Sequence, residues 1–297
     1  MGNGYARKMI QSTAERSGAK RSIAQHSKPN QIRRLNMKKK VAIISDLHCG
    51  HRAGLTPPDW QYSTEKDGEK RRWGKLQSEL WNQYLEIIQD IKSIDVLIVN
   101  GDVVDGKNLR AGGNELITSD RIEQANMAAE CINAWKCKTI VMTYGTPYHG
   151  GVDEDWEKIV AKEVDADIKD HGFYDIAGFI FDVKHHISKS VMPYGQITPL
   201  LREGEWNIKW SVVKNNQPRA DVLIRSHVHY REMAYHDNCW HIITPALMGL
   251  GSKFGARICS NIVDWGVTLV EVEKDKEVSP CFITPEVESE KSAIRKL

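Results

Sequence analysis

The chain reads as an α/β fold on three observations. From Val41 onward, short apolar runs of strand length alternate with stretches of helical periodicity. The helical repeat is plainest at Leu76, Leu80, Tyr84, Ile87 and Ile91, which fall on one face of a helix. Five of the apolar runs stop at a residue or pair able to bind metal, and the crevice outside the carboxyl ends of strands is where α/β sheets hold ligands. With 297 residues, 41% of them hydrophobic, the chain can bury a sizeable core, which excludes disorder over the whole length.

Residues 41–45 (VAIIS) predict a buried strand that ends at Asp46-Leu47-His48. Residues 50–74 carry Pro57-Pro58, several glycines and many charges, and predict a long loop. An amphipathic helix over about 75–93 follows, then a buried strand at 95–100 (DVLIVN) that ends at Gly101-Asp102. The glycine-bearing loop 106–119 leads to a helix near 120–135 and a third strand at 138–144 (KTIVMTY). Gly145-Thr146-Pro147-Tyr148-His149-Gly150-Gly151 comes next, followed by an acidic helix around 153–164. Residues 179–184 are a strand that delivers His185-His186, and 221–225 (DVLIR) one that delivers Ser226-His227-Val228-His229. Residues 232–235, 240–243 and 266–272 have the look of antiparallel strands.

Charge divides the chain unevenly. Residues 1–40 hold eleven Lys or Arg against one acid, Glu15, whereas residues 41–297 hold 30 bases and 38 acids. Too few large apolar residues precede Val41 to offset the entropy of ordering, so 1–40 is expected to be a flexible basic extension. Clustered cations fit a non-specific nucleic-acid arm. They fit a solvated extension as well; Met37 is an alternative start, and an Arg/Ser-rich targeting peptide a further reading. The domain is expected to span 41–285, with 286–297 a tail. No stretch approaches the apolar length of a membrane span and no secretory signal is present, so a soluble, cytoplasmic protein without a membrane partner is expected. Six cysteines without a C-x-x-C pair are read as reduced thiols, Cys49 included as a packing residue.

The chemistry lies at the strand ends. Asp46 and His48, Asp102 and Asp105, His149, His185 and His186, and His227 and His229 together exceed what one tetrahedral ion uses. Mixed nitrogen and oxygen donors suit two borderline divalent ions sharing a bridging carboxylate. Two such ions, roughly 3.5–4 Å apart, clamp a phosphoryl oxygen and make hydroxide available near neutral pH, which is phosphoester hydrolysis. His51, His171, His236 and His241 are given no role.

In order, Asp46-Leu47-His48, Gly101-Asp102-Val103-Val104-Asp105, His185 and Ser226-His227-Val228-His229 resemble the calcineurin-like metallophosphoesterases, whose pattern runs D-x-H, G-D-x-x-D, G-N-H-D/E, a lone His and G-H-x-H. The resemblance covers about residues 41–272, and in size and loop style the chain is similar to phage-encoded members. It implies a four-layer αββα sandwich of mixed sheets with the metal site at the carboxyl ends of strands. It also implies that Asp46, His48 and His229 hold one ion, that Asp102 bridges, and that His185, rather than His186, joins His227 on the second. Asp105 would orient a ligand. The chain departs from the pattern at 145–149, where the family's Asn is missing and the His falls two residues late. Either His149 is itself a ligand, the preferred reading, or Thr146 ligates weakly and His149 keeps the family's role of contacting phosphate and protonating the leaving oxygen. Ser226 in place of Gly is a mild departure. The implied cofactors are two divalent ions, with Mn expected and Fe, Zn or Ni also suited.

For substrate contacts, Trp60, Tyr62, Lys66, Lys70, Arg71, Arg72 and Trp73 interleave aromatic faces with cations at the expected rim, a pattern seen where single strands or nucleotides bind. A solvated loop pinned by one buried Trp is the other reading. Lys107, Asn108 and Arg110 would extend the rim. Gly106-Lys107 stands where the related protein phosphatases have Arg-Gly, which counts against a phosphoprotein substrate. A phosphodiester of nucleic acid or a nucleotide is therefore expected, cleaved by metal-activated hydroxide. A phosphomonoesterase and a non-catalytic nucleic-acid-binding protein are the alternatives.

Overall fold

Strand residues alternate faces, and in this chain both faces are apolar, so each sheet can be covered on both sides. The computed structural model describes residues 38–65, 68–151, 155–251, 262–274 and 277–291, all within the unit that Asn36 begins. The first sheet has the order β11-β10-β1-β2-β3-β4: β1 (Lys38–Ile44), β2 (Val96–Asn100), β3 (Ile140–Thr143) and β4 (Asp167–Lys169) run parallel, with β10 (Val267–Glu273) and β11 (Glu277–Ile283) antiparallel at one edge. The second has the order β5-β6-β7-β9-β8, in which β6 (Phe179–Val183), β7 (Val222–Arg225) and β9 (Cys239–Ile243) are parallel, flanked by antiparallel β5 (Gly172–Ile176) and β8 (Glu232–His236).

The sheets face each other. Val41 and Ile43 of β1, Ile98 of β2, Phe181 and Val183 of β6 and Ile224 of β7 fill the layer between them. Their strand neighbours Ala42, Ile44, Leu97 and Val99 point the other way, onto α1 (Glu69–Ile91), α2 (Arg121–Asn133) and α4 (Trp156–Glu163), the short α3 (Pro147–Gly150) preceding α4 in the chain. On the far side, Leu223 and Ile243 lie against Leu200 of α5 (Thr198–Ile208), which runs on into a π-helical turn at Lys209–Val213. The result is the four-layer αββα sandwich. Each buried aliphatic side chain contributes about 1.5–3 kcal/mol relative to exposure.

The expected helical face of α1 is the one it buries, with Tyr84 donating to the Cys131 carbonyl and accepting from Trp135 Nε1. The helix starts at Glu69, inside the stretch expected to be loop. Asp120 caps α2, its Oδ1 accepting from the backbone of Ile122 and Glu123. Past Pro285 the chain continues against α1: Glu79 accepts from the backbone of Glu288 and Ser289, and Gln83 donates to the Glu286 carbonyl. Residues 1–37, and so nearly all of the expected basic extension, lie outside the described residues, as do 292–297 of the expected tail. Among the described residues no helix is long and apolar enough to cross a membrane, and Cys49, Cys131, Cys137, Cys239 and Cys281 are free thiols.

Candidate metal centre

Loops leave the carboxyl ends of β1, β2, β6 and β7 and turn sharply. Asp46, His48, Asp102, His227 and His229 all have positive φ, between 46° and 76°, a conformation uncommon for non-glycine residues. Backbone bonds hold the first two loops together, Asp46 N to Gly101 O, His48 N to Asp102 O and Asp105 N to Cys49 O. Buried Leu47, Val103 and Val104 anchor them from beneath. Two glycines are steric requirements: a Cβ on Gly101 would lie 2.6 Å from the His185 ring, and one on Gly145 2.1 Å from Asp102 Oδ1.

The donors converge. His48 Nε2 and His229 Nε2 are 3.2 Å apart, and His229 Nε2 is 3.3 Å from Asp46 Oδ1. That spacing is the edge of a coordination shell with bonds of about 2.0–2.1 Å. His185 Nε2 lies 3.0 Å from Asp102 Oδ2 and 3.9 Å from Asp46 Oδ1, and His227 Nδ1 lies 3.8 Å from Asp102 Oδ2. Although close, Asp46 Oδ1, His185 Nε2 and His227 Nδ1 are buried atoms that make no hydrogen bond of acceptable geometry. Three donor groups result: Asp46, His48 and His229; Asp102, His185 and His227; and His48, Asp102 and His149. A divalent ion in each of the first two fits this donor set.

The far side of each ring is held. His185 Nδ1 donates to the Asn100 carbonyl at 2.6 Å, which leaves Nε2 as the ligating nitrogen. His48 Nδ1 lies 3.2 Å from Asp105 Oδ1, and Asn108, buried rather than at a rim, donates to Asp105 Oδ2 at 2.7 Å. Thr146 donates to Asp102 through its backbone N at 2.6 Å and its Oγ1 at 3.1 Å. Burial alone would raise the carboxyls of Asp46 and Asp102, but the imidazoles around them outweigh it and keep both ionised. Burial and the neighbouring His149 push His48 down to about 4, so it is neutral and able to ligate. On His185 burial works toward deprotonation, but Asp102 and Asp46 prevail and hold a proton up to about 10, the proton a cation would displace.

A family model of calcineurin-like phosphoesterases matches residues 39–231. The chain belongs to this family. Among solved structures, an archaeal phosphodiesterase is 14% identical, covering 82% of this chain and 99% of its own, with a TM-score of 0.42. Vps29 from Entamoeba histolytica complexed with zinc is 13% identical over 82% and 98%, with a TM-score of 0.39. A purple acid phosphatase from yellow lupin seeds is 12% identical over 84% and 52%, with a TM-score of 0.45. No curated protein sequence matches the chain. As a calcineurin-like phosphoesterase it has the family's chemistry, metal-dependent phosphoester hydrolysis.

Asp46, His48 and His229 of this phosphoesterase lie together, as do Asp102, His185 and His227. The His149 ring lies edge-on to His48, 4.5 Å between centroids, and groups with His48 and Asp102, not with His185 and His227. Its Nδ1 donates to the Asp105 carbonyl at 2.9 Å and is 3.5 Å from Asp105 Oδ1. His186 is exposed beside His227. The expected rim divides. Trp73 is buried under the Arg52 guanidinium, 4.2 Å above its ring, and Trp60 is packed on the core. Arg71 and Arg72 line a recess of about 410 Å³ with Lys75 and Ser289, and none of the metal-site residues is among its described lining. Lys66 lies outside the described residues. Lys107 is exposed on the loop after Asp105, and nearby Arg110 stacks on Tyr148 at 4.8 Å, Tyr148 in turn meeting the His149 ring at 4.8 Å. Glu157, unmarked in sequence beyond its acidic helix, is buried and accepts from the backbone of Val103 and Gly145, tying the loops after β2 and β3 together.

Proposed function

We propose that this phosphoesterase is a dinuclear phosphodiesterase acting on a nucleotide or nucleic acid. The observation that carries the dinuclear reading is the pair of donor triads whose buried Asp46 Oδ1, His185 Nε2 and His227 Nδ1 make no hydrogen bond. Bound there, divalent ions would lower the pKa of water toward neutrality and neutralise phosphoryl charge. Asp102, held by Thr146, would be the carboxylate shared between them. His149 protonates the leaving oxygen, its ring oriented by the Nδ1 hydrogen bond to the Asp105 carbonyl. For the diester preference, the support is the exposed Arg110 guanidinium stacked on Tyr148 beside His149, an aromatic face and a cation placed for the substituent beyond the scissile bond. Lys107 adds a second exposed cation to that edge. Manganese is the expected ion.

The test is hydrolysis of bis-para-nitrophenyl phosphate, para-nitrophenyl phosphate and labelled single-stranded DNA by Mn-loaded protein, with metal content measured on the same sample. Two ions per chain with diester or DNA cleavage is the expected result. Preference for the monoester would overturn the diester assignment, and folded protein that takes up one ion or none would overturn the dinuclear one.

A further inference from the structure

Each sheet supplies half of the donors. Asp46, His48 and Asp102 follow strands of the first sheet, whereas His185, His227 and His229 follow strands of the second. The two halves match only if the sheets keep a fixed offset at their carboxyl ends.

At that level five strands end, or continue by one residue, in a polar side chain: Ser45 after β1, Asn100 in β2, Thr143 in β3, Ser226 after β7 and Thr244 after β9. All are buried, none more than 1% exposed. They form one hydrogen-bonded chain. Thr143 Oγ1 donates to Asn100 Oδ1 at 2.6 Å, and Asn100 Nδ2 donates to Ser226 Oγ at 2.6 Å. Ser226 Oγ and Thr244 Oγ1 are 2.6 Å apart, and Thr244 Oγ1 and Ser45 Oγ 2.8 Å. The chain thus crosses from the first sheet to the second and back. Asn100 is its hub, since Nδ2 also reaches the Lys184 carbonyl at 3.3 Å and its own carbonyl takes the His185 Nδ1 proton.

Packing does not explain this belt. Apolar residues of the same shape would fill the layer at equal or lower free energy, because a satisfied buried polar group gains little over the water it leaves. Directional bonds, unlike apolar contacts, fix one offset. Four of the five also adjoin the site: Ser45 and Ser226 immediately precede Asp46 and His227, Asn100 is two residues before Asp102, and Thr143 three before Thr146. Ser226 stands where the family pattern has Gly, and a glycine could not join the chain.

We propose that the Thr143–Asn100–Ser226–Thr244–Ser45 chain is the positioning device that sets the two halves of the metal centre against each other. The proposal rests on the metal-centre reading given above. Its test uses Co²⁺ alone, added to the full-length apoprotein, with affinity from equilibrium dialysis and donor geometry from the visible cobalt spectrum. Thr244→Val and Thr143→Val keep the side-chain shape and remove the hydroxyl, Thr244→Ser keeps the hydroxyl, and Asn100→Ala removes the hub. Expected are a loss of cobalt affinity of about tenfold or more in the Val and Ala variants, as for other residues that orient ligands, a changed spectrum, and recovery of both in Thr244→Ser. Wild-type affinity and spectrum in folded Val variants, with only the melting temperature lowered, would overturn the proposal. Should Asn100→Ala not fold, the Val variants decide. A wild type that binds no cobalt overturns the metal-centre reading, and this proposal with it.

Discussion

His149 is the residue where the motif and the geometry part. An imidazole is a better metal donor than a hydroxyl, which favours a ligand role on chemistry alone. In the structure its ring sits with His48 and Asp102, tied through Nδ1 to the Asp105 carbonyl, while Thr146 donates to Asp102. The expected outcome for His149→Ala is unchanged metal content with kcat lowered about 10²–10⁴-fold, the range for loss of a general acid. The loss should be smallest for bis-para-nitrophenyl phosphate, whose leaving group needs no proton. Loss of one ion in this variant would make His149 a ligand instead. The donors themselves were legible in the sequence because each follows an apolar run directly. Asn100, Thr143 and Thr244 were not, since a lone polar residue at a strand end reads as a cap or a turn.

Among the elements, the strands that feed the site were legible because they are buried on both faces and read as continuous apolar runs. β5, β11 and α5 were not. β11 is a half-exposed edge strand containing Pro280. α5 carries Pro199 in its first turn and Gly204 in its middle, and a Cβ at 204 would lie 2.0 Å from His241 Nε2, so close helix–sheet approach overrides helix propensity there. Beneath α5, Asp182 of β6 accepts from Arg225 of β7 at 2.8 Å, from His171 at 2.8 Å and from Asn207 at 3.1 Å. Burial would raise this carboxyl, but Arg225 and His171 outweigh it and hold it well below its ordinary value. Asp182→Ala leaves Arg225 buried without that partner and should cost about 3–5 kcal/mol in urea denaturation at neutral pH. A depressed carboxylate stabilises above its unfolded pKa and loses that contribution as pH falls through the folded one. The gap between wild type and Asp182→Asn should therefore be full near pH 7 and shrink below about pH 4. A gap that does not change with pH would refute the ion-pair account.

For the whole molecule, buried carboxylates and imidazoles crowd one pocket between two sheets, and ions that bind there bind the folded state. Free metal at about a thousandfold over its Kd adds roughly 4 kcal/mol to stability. A melt in chelator followed by a melt after Mn²⁺ addition should show a rise of several degrees. Equal melting temperatures would mean that no ion is held. The four-layer order was legible through the family resemblance rather than through periodicity, because alternation within a strand does not say which of two sheets a strand joins.

The left-handed backbone at Asp46, His48, Asp102, His227 and His229 also limits what these positions can become. Asparagine, aspartate and glycine tolerate that conformation, whereas valine, isoleucine and threonine do not. In a randomised library selected for folding alone, without any demand for turnover, these five sites should return Asn, Asp and Gly and exclude the β-branched residues. Asparagine is accordingly the substitution that separates lost chemistry from lost structure at each of them.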